Sequence, residues 1–214
     1  MKKFTVSLLL GLLCITLVKA NDPAYLDAMK KQIDSMNSVS SIEDVQKSKN
    51  GFLRIAEAKP SEWLPLYYAA FTQTNAAFRF DVDKDAYLDE ALAIIKKAKS
   101  LDPNNSEITA LHGFIIMGKL SVDPASRGQE LSPQAMQLFS KAIQLNKQNP
   151  RATTLMGQME LGMSQFFGTG PEKACGMGRI ALDLFEKEQA LISEDYILPT
   201  WGKNQAEELT SACK

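Results

Sequence analysis

Asp81, Asp83, Asp85 and Asp89, in the stretch FDVDKDAYLDEA, are the residues whose spacing most invites chemistry. They fall at the first, third, fifth and ninth places of a helix–loop–helix calcium loop, where carboxylate oxygens serve as ligands. Such a loop also needs glycine at its sixth place and a bidentate glutamate at its twelfth. Ala86 and Leu92 stand there. The alanine resists the tight turn, and an alkyl side chain cannot ligate. The aspartates are therefore read as an N-cap and first-turn charges favoured by the helix dipole, with weak calcium binding by Asp81, Asp83 and Asp85 as the alternative. No metal or cofactor is expected.

Other residues capable of chemistry are sparse. His112 is the one histidine, and with Cys175 and Cys213 it shows no recognisable zinc-ligand spacing. It is read as a half-buried structural histidine rather than a general base. The glycine-rich FGTGPEKACGMGR leads into a helical pattern, but no strand precedes it and it lacks the spacing of a phosphate-binding loop. Gly168, Gly170 and Pro171 are read as a turn and helix start, and Gly176 and Gly178 as sites of close packing. No catalytic constellation emerges, so the chain is not expected to be an enzyme.

The elements that position these residues begin after residue 20. MKKFTVSLLLGLLCITLVKA has a basic start, an apolar run too short to cross a bilayer and a small-residue cleavage pattern ending at Ala20. It reads as a secretory signal peptide (1–20), leaving 21–214 as a single domain that is periplasmic or secreted, without membrane insertion. Removing Lys2, Lys3 and Lys19 moves the formal net charge from −1 to −4. A mildly acidic chain without basic clusters argues against nucleic acid, whose phosphates attract Lys and Arg. In an oxidising compartment the remaining cysteine pair is a disulfide candidate, two buried thiols being the alternative.

Periodicity is helical throughout. YLDEALAIIKKAKSL carries Leu88, Ala91, Leu92, Ile95, Ala98 and Leu101 at three- and four-residue spacing. AMQLFSKAIQL repeats that stripe, with Ala135, Ala142 and Leu145 lying 44 positions after Ala91, Ala98 and Leu101. Ala70, Gly113 and Gly157 recur at the same interval or one less in the preceding helices. Four helix pairs result, each with a small residue in both helices, and a repeat of this period means a stacked array. Small residues let two helices approach to about 8–10 Å. Pro60 and Pro103 are read as closing repeats, and Pro133, Pro150 and Pro171 as opening helices.

EALAIIKKAKSLDPNN resembles the second helix of a tetratricopeptide repeat, and Gly113 and Gly157 match the small position of that family's first helix. The period is longer than the family's, with the extra length between the helices of each pair. The resemblance implies an all-α, right-handed helical-repeat solenoid of about four helix pairs. LPTWGKNQAEELTSACK would add a C-terminal capping helix, with Trp201 covering the end of the stack. Antiparallel neighbours would then bring Cys175 beside Cys213. It also implies a concave groove along the first helices, lined by Tyr25, Met29, Tyr67, Phe71, Ala110, Phe114, Met117, Arg151, Thr154 and Gln158, the aromatic members filling core in the alternative. The expected function is a periplasmic or secreted scaffold that binds a protein or peptide partner of the cell envelope in that groove. A small-molecule binding accessory is the other reading, its pocket closed by the long loops AAFRFDVDKDAY and SVDPASRGQELSPQ.

Overall fold

The computed structural model describes residues 22–211, and the regular elements among them are all α-helices. They are α1 (Pro23–Asn37), α2 (Ile42–Ala58), α3 (Leu64–Arg79), α4 (Lys84–Leu101), α5 (Ser106–Val122), α6 (Pro124–Leu145), α7 (Pro150–Phe167), α8 (Glu172–Gln189) and α9 (Lys203–Ser211). The expected signal peptide lies outside the described residues.

Short polar side chains start most of these helices by satisfying amide groups that have no partner in the first turn. Asp22 accepts from the amides of Ala24 and Tyr25, and Ser41 and Asp44 form a reciprocal capping box. Asn105 and Asn149, 44 positions apart, cap α5 and α7 alike. Asp123 caps α6, which begins at Pro124, where a missing N–H costs nothing. Gly168 ends α7 at φ 67°, the left-handed conformation that glycine adopts without strain.

The odd-numbered helices form one row, each touching the next from α1 to α9, and the even-numbered helices bridge adjacent members from outside. A row whose members touch, backed by one whose members do not, curves with the touching row on its concave side. The small residues make this approach possible. Ala70, Ala91, Ala98, Ala135, Ala142 and Ala181 are fully buried. A Cβ on Gly113 would stand 2.5 Å from the Phe139 ring, and one on Gly157 would stand 2.5 Å from Leu209.

Three expectations are corrected. Pro133 does not open a helix: it lies inside α6, which Asp123 and Pro124 have already started ten residues earlier in the chain. The connections within the helix pairs are short, with Phe80–Asp83 between α3 and α4 and Asp123 alone between α5 and α6. Loops this short cannot close a pocket, because most of SVDPASRGQELSPQ is helix. Leu101 and Leu145, at the ends of their stripes, are about as exposed as surface residues, at 40% and 36%.

Candidate functional site

Asp83, Asp85 and Asp89 are engaged within the array. Asp83 caps α4, its Oδ1 accepting from the Ala86 amide at 3.0 Å. Asp85 takes two bonds from the Arg127 guanidinium, at 2.6 and 2.8 Å, which hold its carboxyl below the usual range. Asp89 pairs with Lys119. His112 is buried, its Nδ1 without a hydrogen-bond partner, and burial together with Lys99 and Lys96 pushes its pKa down to about 4. Those lysines belong to α4, so the imidazole looks away from the concave row and is neutral at pH 7. The segment 168–171 is the turn between α7 and α8, with Pro171 as N-cap. Cys175 is buried near the start of α8, which packs on α9, while Cys213 lies outside the described residues.

The concave face is where the remaining predicted residues gather, and it is not an open groove. Met29 is fully buried in the main core, as are Tyr67, Ala110 and Thr154, whereas Tyr25, Met117 and Gln158 are partly buried. Phe71 and Phe114 are buried because residues 190–202, which carry neither helix nor strand, run across the face from α8 to α9. Trp201 sits between them, with ring centroids 4.8 Å from Phe71 and 5.6 Å from Phe114 and planes inclined by 20° and 25°. Tyr67 continues the stack below Phe71 at 6.4 Å, and Phe78 continues it beyond Phe114 at 5.3 Å. Such offset stacks contribute about 1 kcal/mol per pair beyond the burial itself.

Trp201 therefore does not cover the end of the array. That role falls to α9, whose Ala206 and Leu209 are buried against the last helix pair. The indole occupies the groove because its Nε1 has a partner there, donating to the Tyr67 hydroxyl at 2.9 Å. The Tyr68 hydroxyl donates to the Ile197 carbonyl at 2.9 Å, and Arg151 reaches the Trp201 carbonyl at 3.4 Å. At the surface Lys30 pairs with Asp195 at 2.6 Å.

Arg151, expected to line the groove, already holds two carboxylates from this chain. Its Nε and Nη2 donate to Glu107 at 2.8 and 2.9 Å, and its Nη1 donates to Glu188 at 2.9 Å. Burial works against its charge, but the two carboxylates outweigh burial and hold the guanidinium above its usual value. Burial, reinforced by Glu107, raises the Tyr67 phenol, and burial raises Tyr68 and Tyr25 also. The phenols of this face are thus neutral donors. Beside them a cavity of about 290 Å³ is lined by Glu107, Arg151, Glu188, Tyr196, Leu198 and Pro199.

The contributions of Tyr68, Glu107, Glu188 and Ile197 were not read from the sequence. ALISEDYILPTWG has no helical period, and its partners lie 129 and 134 positions away along the chain. The only local signal is an apolar trio, Ile197, Leu198 and Trp201, in a stretch punctuated by Pro199 and Gly202.

No protein-family model matches the chain, and no curated protein does. Among solved structures it is similar to the HusA haemophore of Porphyromonas gingivalis, at 29% identity and a TM-score of 0.77, over 89% of this chain and 92% of that one. A second similar structure is TTC0263, a tetratricopeptide-repeat protein of Thermus thermophilus, at 17% identity and a TM-score of 0.58, over 88% of this chain and 89% of that one. The fold is a helical repeat of tetratricopeptide type. Among the described residues no helix is long and apolar enough to cross a membrane.

Proposed function

We propose that this protein is a binding protein whose concave face takes a flat, largely apolar ligand of the haem class. The observation that carries the reading is the aromatic stack Tyr67–Phe71–Trp201–Phe114–Phe78, in which one planar group is already held face-on between two others. Stacking surfaces of this kind recognise planar rings with little demand on their substituents. Likeness to a haemophore over nine-tenths of both chains supports the same ligand class. The one imidazole of the chain points away from this face, so ring contact rather than iron ligation by histidine would hold the ligand. No catalytic role belongs to this reading.

Titrating the mature protein with haemin, followed by visible absorbance, tests it. Phe114→Ala is expected to weaken binding at least about tenfold, in keeping with loss of a buried aromatic contact. Circular dichroism checks that the variant is folded. Equal affinity in a folded Phe114→Ala protein rules the face out.

A peptide partner is the second reading, and segment 190–202 itself favours it. The face binds that segment through main-chain carbonyls, from Tyr68 to Ile197 and from Arg151 to Trp201, which is how a groove accepts an extended chain. Cross-linking in the cell envelope that captures a protein through the Tyr67–Phe71 face would support it.

Secretion and the cystine belong to the same proposal. N-terminal sequencing of the exported chain should begin at Asn21. Mass spectrometry of non-reduced peptides should find Cys175 joined to Cys213, a bridge that would fasten α9 to α8 by about 4 kcal/mol on the chain-entropy argument. Two alkylatable thiols would refute the bridge.

A further inference from the structure

Residues 190–202 hold the groove shut with the one side chain on the segment that imitates a ligand. We infer that the slot between Phe71 and Phe114 is the ligand subsite and that Trp201 occupies it as an exchangeable plug, leaving when the ligand enters. The inference rests on the proposal that this face binds a flat ring.

Geometry sets up the competition. Phe71 and Phe114 both stack on the same indole, at 4.8 and 5.6 Å and nearly parallel to it, so Trp201 holds the place where another planar ring would meet them. A tetrapyrrole is as thin as an indole but far broader. It fits between the two phenylalanines only after Trp201 has left.

The segment is built to leave. It has no internal helix or sheet ladder to break, and beside the apolar packing of Ile197, Pro199 and Trp201 its polar ties to the array include the three hydrogen bonds from Trp201, Tyr68 and Arg151 and the Lys30–Asp195 pair. Leu191 and Leu198 are 71% and 45% exposed, so apolar side chains face solvent in the closed arrangement and gain cover if the segment folds onto a ligand. A half-open cleft of about 290 Å³ lies between Leu191, Tyr196, Leu198 and Pro199 of the segment and Glu107, Arg151 and Glu188 of the helices. Gly202, at φ 108°, ends the segment in a conformation that suits glycine, packed close to Phe185 and Arg151. The array on either side stays fixed, because α8 and α9 are packed against α7.

A plug of this kind lowers the apparent affinity by the fraction of molecules that are open, so loosening it must tighten ligand binding. That sign separates a plug from a wall of the site. Haemin titrations of the full mature protein are the test. Trp201→Ala, which empties the slot, is expected to bind about tenfold more tightly than the unaltered protein. Tyr68→Phe removes the bond to Ile197 while leaving the slot walls intact, and is expected to bind about threefold more tightly. Asp195→Asn loosens the segment at the surface, far from the rings, with about a twofold gain. If Trp201→Ala fails to fold, the other two variants carry the test alone. Weaker binding in the folded Trp201→Ala protein, or unchanged binding in Tyr68→Phe and Asp195→Asn, overturns the plug and leaves the proposed ligand class standing. Absence of haemin binding in every variant and in the unaltered protein overturns both.

Discussion

The helix pairs α3–α4 and α5–α6 and the segment 190–202 both bury aromatic rings, yet they do so by opposite means. Within the pairs, order is local. Asn105 caps its own helix three residues away, and Phe139 lies over the notch left by Gly113 on the adjoining helix. In the segment almost nothing is local: Trp201 and Ile197 are fixed by tyrosines on α3, more than a hundred residues earlier. A region stabilised from within unfolds with the whole domain, whereas one tied down by a few distant contacts opens by itself at much lower cost. The repeats are thus a frame and the segment an adjustable part laid in it.

Arg151 joins the two regions, and its loss is the largest effect expected. Arg151→Met leaves Glu107 and Glu188 beside each other without their shared cation, and urea unfolding should report a loss of about 4 kcal/mol. If the loss were under about 1 kcal/mol, the frame and the segment would not share this anchor.

The second test concerns the frame alone. His112 has a folded pKa of about 4 against an unfolded value of 6.5. Its depressed value gives stability that is fully present above pH 6.5 and lost as the pH falls through about 4, because only the unfolded chain takes up the proton readily in that window. The loss amounts to about 3 kcal/mol at the acid end. His112→Leu should flatten the stability profile between those limits, and an unchanged slope would assign the acid sensitivity to other groups.

Gly113→Val should cost about 2 kcal/mol by forcing a branched side chain against Phe139. The whole melting transition should move with it, because the notch belongs to the frame. Tyr68→Phe should cost about 1 kcal/mol, confined to the segment. Hydrogen exchange should quicken in residues 190–202 and remain unchanged in α3–α6. Faster exchange throughout would make segment and frame one cooperative unit and dissolve the contrast.

The same contrast explains what could be read from the sequence. The frame was legible because close helix packing demands small side chains at fixed intervals, and Ala91, Ala98, Ala135, Ala142, Gly113 and Gly157 record that demand directly. The cap at Asp83 was legible for a similar reason, since a cap acts within three residues of itself, whereas the distant partners of Asp85 and Asp89 left no local sign. Pro133 misled because proline marks helix starts only statistically, and Pro124 had already taken that place. The residues expected to line a groove lie on the odd-numbered helices, but the segment laid over them was not foreseen. A segment without a period leaves no pattern from which its docking site can be deduced, and Arg151 gave no sign of the acidic partners folded against it from α5 and α8.

The seating of Leu209 over Gly157, with Thr210 beside Gly178, also fixes the direction in which the molecule can be lengthened. A further helix pair grafted after α8 would have to evict α9 from those two glycines before it could dock. Modular extension by protein engineers is therefore blocked at the carboxy-terminal end for as long as that stopper remains in the chain.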